Sequence, residues 1–185
     1  LTVDQTYILH EEVAPDGYLI TSDTTFSIDQ TGKVTATGST TTDENGNEVL
    51  LIEDNKTRIE VSKVDIADGE ELEGATIQIL RKLDENEVKS SEKTYVTINE
   101  IEYEVVEEWV SEKKAHVVEG LLTGTEYTLH EEVAPDGYLV TSDTTFSIDQ
   151  TGKGTATGST TTDENGNEVL LIKDNKTRIE VSKVD

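Results

Sequence analysis

The sequence predicts an all-β protein made of tandem, immunoglobulin-like antiparallel β-sandwich domains, and three observations carry that expectation. Apolar residues alternate with polar ones over short runs of about 4–8 residues bounded by Gly, Asn, Asp and Pro, and no stretch keeps a helical period. Residues Thr6 to Asp65 return as Glu126 to Asp185 with differences only at positions 6, 8, 20, 34 and 53. That period of 120 is the size of a whole domain, so the chain reads as beads on a string and not as a solenoid of short repeats. Finally, only 33% of residues are hydrophobic and there is no cysteine, which fits thin β-domains with lean cores and no disulfides.

The repeat divides the chain into residues 1–57 (second half of one unit), 58–177 (a complete unit) and 178–185 (first strand of the next). In the complete unit, Ile59, Val61 and Lys63 share one face of a first strand and Glu60 and Ser62 the other, as in a half-buried strand. Ala75 to Leu80 forms a second strand. Leu83 to Lys93 is polar and reads as a loop, and Thr94 to Val106 as a hairpin about Asn99 and Glu100. A further strand falls in Trp109 to Val118, with Gly120 and Gly124 bracketing a turn. Tyr127, Leu129 and Glu131 alternate on one face of the next strand, which ends at the turn Ala134-Pro135-Asp136-Gly137-Tyr138. Phe146 and Ile148 mark another strand, and Asp163 to Asn167 a hairpin bend before the last strand, Glu168 to Asp174.

Composition narrows the function. Forty acidic residues against 15 basic ones give a net charge of -25, which repels nucleic acid and anionic membranes and supplies solubility. No apolar run is long enough for direct membrane insertion, and no basic-then-apolar leader is visible, so targeting and anchoring are expected to lie outside these residues. His10, His116 and His130 lack metal-ligand spacing and are expected at the surface, with no metal and no cofactor. Asp163 to Asn167 lacks the alternating ligands of a calcium loop, and Trp109 is expected in the core.

Strand parity points three ionisable groups inward. Asp174 shares a face with Leu170 and Ile172, Lys63 with Val61, and Glu131 with Leu129. Position 173, Lys in one copy and Glu53 in the other, accepts either charge and lies on the outer face with Asn175. A buried salt bridge or strand ends reaching solvent would account for such a trio as well as chemistry would.

The segments VSKVD, LEGATIQI, HVVEGL, YTLHEEVAPDGY and LLIKDNKT, together spanning the complete unit, resemble the collagen-adhesin B-type (CnaB) domains of Gram-positive surface proteins and pili. The E-x-x-APDGY segment is the most specific part. The resemblance implies a spontaneous amide between a first-strand lysine and a last-strand Asp or Asn, assisted by a buried acid. Carried over by position, these are Lys63, Asp174 (with Asn175 as runner-up) and Glu131. The equivalents are Glu11 and Asp54 in the first copy and Lys183 at the start of the third, whose partners are expected in flanking repeats. Where the chain departs is Leu83 to Val106, which is long for a minimal domain.

The reaction has physical sense. Burial lowers the pKa of an amine and raises that of a carboxylic acid, by up to ~3–5 units, so a neutral amine and a neutral acid are favoured side by side. A second acid can polarise the carbonyl and shuttle protons, and a held pair reaches an effective molarity on the order of 10⁵ M. One amide forms once per unit, so the chain is expected not to be an enzyme with turnover.

The expected function is a stalk repeat of a bacterial cell-surface adhesin, pilus or fibre, extracellular and wall-anchored through other regions. Its partners would be flanking repeats of the same protein. A second arrangement has Lys183 of one molecule docking head-to-tail on Glu11 and Asp54 of another. With the amide in place, tension would cross from Asp54 to Lys63, nine residue steps spanning about 30 Å. The alternative is a ligand-binding adhesin module contacting an unidentified host or matrix ligand through residues 83–106.

Overall fold

A computed structural model describes residues 1–184; Asp185, the last residue of the expected strand 178–185, lies outside them. Fifteen strands and no helix occur among the described residues. None of these elements is therefore a helix long and apolar enough to cross a membrane.

Residues 58–174 fold into a two-sheet sandwich. Its strands are β6 (Arg58–Asp65), β7 (Thr76–Lys82), β8 (Thr94–Ile98), β9 (Ile101–Val110), β10 (His116–Glu119), β11 (Tyr127–Val133), β12 (Thr144–Ile148), β13 (Gly154–Ala156), β14 (Ser159–Thr162) and β15 (Glu168–Asp174). One sheet has the order β10-β6-β15-β14, the other β13-β12-β11-β7-β9-β8. Alternation supplies the core: Ile59, Val61, Leu170 and Ile172 from the first sheet meet Ile77, Ile79, Leu129 and Phe146 from the second. Trp109 packs against this core and stacks on His116 at 4.3 Å between ring centroids.

Turn chemistry follows the sequence. Asn99 and Glu100 both take positive φ (49° and 68°), the twist a two-residue hairpin between β8 and β9 requires. The Asp163 side chain accepts hydrogen bonds from the backbone N–H groups of Asn165 and Asn167, both at 2.8 Å, so its carboxylate is spent on the hairpin bend.

Four details differ from the expectations. β6 and β15 are parallel, with Ile172 opposite Lys63 and Asp174 opposite Asp65; every other pairing is antiparallel. The half-buried pattern of β6 holds only to Val61: from Val61 to Asp65 every residue is buried, because β15 runs beside it on one edge and, past the end of β10, the segment at Glu71 and Leu72 covers the other, with Val64 bridging Glu71 and Leu72 N–H donating to Lys63 O. The segment Trp109 to Val118 is the end of β9, a turn and then β10. Residues 178–184 are exposed and carry no strand.

Residues 1–57 repeat the sequence of β11 to β15 without the neighbours of those strands. They form a three-stranded sheet of β1 (Thr6–Leu9), β2 (Thr24–Ile28) and β3 (Val34–Ala36), and a hairpin of β4 (Thr40–Thr42) and β5 (Glu48–Leu50). The cost of missing neighbours is visible: Ile52 is 47% exposed, whereas Ile172 is 5% exposed. β5 stops at Leu50, four residues short of the point where β15 stops in its copy, because no strand lies beside it in the place of β6.

Candidate functional site

The parallel pairing of first and last strands sets up the site. Lys63 and Asp174 sit two register steps apart on adjacent strands and point to the same inner face, towards β11 of the opposite sheet. There the β11–β7 register shifts between Glu131 and Val133, a bulge immediately after the acid that faces the pair. The three side chains meet in the core. Lys63 Nζ lies 2.6 Å from Glu131 Oε1 and in direct contact with Asp174 Oδ1. Lys63 and Glu131 are each 2% exposed, and Asp174 is fully buried.

Each acid has its own electrostatic setting. Glu131 Oε2 accepts the backbone N–H of Thr141 at 2.8 Å, which leaves Oε1 for the lysine. Neither oxygen of Asp174 takes a hydrogen bond from any other group among the described residues. Burial pushes the Asp174 carboxyl up to about 6; the nearby Lys63 opposes that shift and Glu131 adds to it. A carboxyl so placed is readily held as the neutral acid.

A second cluster, built on Asp65 two residues beyond Lys63, closes the end of the strand pair. Asp65 is 2% exposed and points inward like Val61 and Lys63. Its Oδ2 is 2.7 Å from Lys176 Nζ and accepts the Tyr138 hydroxyl at 2.9 Å, while Oδ1 accepts the Ala67 N–H at 2.9 Å. The lysine, with the Ala67 and Tyr138 donors, holds the Asp65 carboxyl down at about 2. Ile66 N–H donates to the Asp174 carbonyl at 3.0 Å, so the backbone of Asp174 is tied to the same corner. Tyr138 and Lys176 lie in the motifs APDGY and DNKT, where the sequence had suggested only turn and boundary.

The other expected residues are placed as follows. Asn175 is exposed, and its backbone carbonyl accepts Leu139 N–H at 3.0 Å. In the first copy Glu11 Oε2 accepts Thr21 N–H at 2.9 Å, as Glu131 does with Thr141. Asp54 Oδ1 is buried without a hydrogen-bond partner, and burial beside Glu11 raises its pKa. Among the described residues no lysine forms an ion pair with either acid, and Lys183 is exposed. His10, His116 and His130 pair with Asp23, Glu107 and Asp143 at 2.6, 2.7 and 2.7 Å. No cluster among the described residues has the composition of a metal centre.

Residues 57–162, more than half of the chain, match the family SpaA, described as a prealbumin-like fold domain. No curated protein matches. Among solved structures, the C-terminal fragment of the pilus adhesin SpaC from Lactobacillus rhamnosus GG aligns over 98% of this chain and 80% of its own, at 18% identity and a TM-score of 0.47. The shaft pilin spaA of the same organism aligns over 95% and 66%, at 19% identity and 0.42. The pilus 2b backbone protein of group B streptococcus aligns over 90% and 52%, at 18% identity and 0.42.

Proposed function

The chain belongs to the SpaA family of prealbumin-like fold domains, and from that premise we propose that it is a structural stalk repeat of a bacterial cell-surface adhesin, pilus or fibre. In this proposal Lys63 and Asp174 close the complete unit with an amide, and Glu131 assists. The observation that carries the reading is the buried contact of one amine with two acids. A lysine sealed in a core beside a carboxyl whose pKa is raised has a reaction partner and no solvent to compete for it.

The steps balance without any further reactant. In its neutral form Nζ attacks Cγ of the neutral Asp174, and as the N–C bond forms Glu131 takes one of the two protons from the nitrogen. Glu131 returns that proton to the departing hydroxyl, and the C–O bond breaks as the hydroxyl leaves as water. Lys63 and Asp174 end as an amide and Glu131 is regenerated. Each unit reacts once, so the chemistry is self-modification and no external substrate is turned over.

Position explains the use. A bond between the first and last strands diverts tension around the 110 residues between them. Such a bond suits a protein outside the cell, where a chain without cysteine gains a staple that needs no oxidant. Flanking repeats would supply the lysine for Glu11 and Asp54 and the acids for Lys183.

The decisive measurement is the intact mass of the denatured protein. Loss of one water is expected; loss of ammonia would move the bond to Asn175, and an unshifted mass would remove it. A pulling experiment tests the mechanical part: Lys63→Ala should make the unit 58–177 extensible, and equal behaviour of wild type and variant would refute the load path.

A further inference from the structure

Because five positions alone separate Thr6–Asp65 from Glu126–Asp185, any other difference between the copies reports what each one touches. Around the APDGY turn the backbone contacts within each copy are the same. Tyr18 bridges Lys56 as Tyr138 bridges Lys176, and Leu19 N–H donates to Asn55 O as Leu139 N–H donates to Asn175 O. Thr57 and Thr177 each give their N–H to the glycine of the turn.

Their surroundings differ. In the first copy the turn is seated on the base of the complete unit. Thr57 Oγ1 donates to Leu121 O at 2.7 Å, Gly120 N–H donates to Thr57 O at 3.0 Å, and Ile20 N–H donates to Gln150 O at 3.2 Å. Gly17 is buried and Thr57 is completely so, whereas Gly137 and Thr177 are exposed. Leu19 and Ile20 are half-buried, while Leu139 and Val140 are each 55% exposed.

The fit is tight enough to need glycine. A methyl group on Gly17 would come 2.7 Å from the Gly120 carbonyl oxygen, and one on Gly152 3.0 Å from Leu19 Cδ1. Their counterparts Gly137 and Gly32 have nothing within 4 Å. All four have φ between 80° and 86°, so backbone strain on substitution is equal within each pair and only the neighbour differs.

We propose that the seat recurs: the turn Pro135 to Val140, with Thr177, docks on the Gly120–Leu121 and Gln150–Gly152 surface of another copy of the complete unit. The exposed apolar pair Leu139 and Val140 is the patch that this partner covers, and Thr177 ties to its Leu121 carbonyl as Thr57 does here. The proposal rests on the stalk reading only in taking the partner to be a further unit of the same protein; it does not need the amide. Successive units are then held at one fixed orientation by hydrogen bonds and glycine contacts, not strung on a free linker.

Backbone amide hydrogen exchange tests this on the present chain and on the same chain lengthened by one more copy of residues 58–177 after Thr177. In the present chain the Ile20 amide should exchange at least roughly tenfold more slowly than that of Val140. In the lengthened chain Val140 should become as protected as Ile20. Gly17→Ala should abolish the protection of Ile20, while Gly137→Ala, which carries the same backbone strain, should leave Ile20 protected in the present chain and abolish protection of Val140 in the lengthened one. Leu19→Ala, which alters no φ, should reproduce the first effect. A Val140 amide that stays unprotected in the lengthened chain, or an Ile20 amide indifferent to Gly17→Ala and Leu19→Ala, overturns the proposal. Intact mass reads the amide separately, so a chain that has lost its water but leaves Val140 open refutes the seat and not the crosslink.

Discussion

Replacing Glu131 by Gln separates the crosslink from the packing around it. Gln keeps the volume and can still accept the Thr141 N–H, yet it cannot take the proton that the Lys63 amine must lose. Without the amide the unfolded chain regains the freedom of a loop of 174 − 63 = 111 residues. The chain-entropy relation for a closure of that size gives roughly 4–5 kcal/mol. Unfolding entropy is about 2.1 cal/mol/K per residue, or about 0.25 kcal/mol/K for the sandwich of residues 58–174, so the loss corresponds to a fall in Tm of about 16–20 °C. Intact mass and scanning calorimetry on the same sample are the assay. Glu131→Gln should show the full unreacted mass and the lowered transition, whereas Glu11→Gln, which faces no lysine, should still show the loss of one water. If Glu131→Gln still loses a water, the acid is not needed for the reaction. If it reacts no longer but melts within ~2 °C of wild type, the staple does not stabilise by closing the loop.

Other perturbations bear on neighbouring parts of the site. Because burial lifts the Asp174 carboxyl to about 6, the neutral acid predominates below that pH, and amide formation in freshly refolded protein should slow as pH rises through about 6; mass spectrometry of quenched time points reads this. Asp65 is held at about 2, below the ordinary value of about 3.9. Its contribution to stability is therefore complete above about pH 4 and lost as pH falls through about 2. Asp65→Asn should flatten that part of a Tm-against-pH curve, and an unchanged acid limb would count against the clamp. Thr57→Val should cost about 1 kcal/mol by chemical denaturation through loss of its bond to Leu121, whereas Thr177→Val should stay within about 0.5 kcal/mol.

Much of the site was legible because strand parity is a strict rule. Counting by twos from Val61, Leu129 and Ile172 reached Lys63, Glu131 and Asp174, which the fold brings into one contact in the core. The same count, continued to Asp65, turns that side chain inward, but its partners Tyr138 and Lys176 lie in a turn and beyond the last strand, where no period applies. Parity also says nothing about direction, so the parallel run of β6 beside β15 could not be read from either strand alone. The first copy shows the limit from the other side: Ile52 and Ile172 stand in nearly the same sequence, yet one is half exposed and the other buried, because burial belongs to the neighbours as much as to the residue.

The parallel pairing of β6 with β15 also fixes an order of events in folding. Lys63 faces its register partner Ile172 across 172 − 63 = 109 residues of chain, so this ladder closes one of the largest loops in the sandwich. Contacts of such separation form late, after local hairpins such as β8–β9 have already been made. The amine and the acid are thus kept apart until the strands between them have found their places. The amide proposed there would be a permanent record of correct assembly: a misfolded chain would never write it, and a folded one could not erase it.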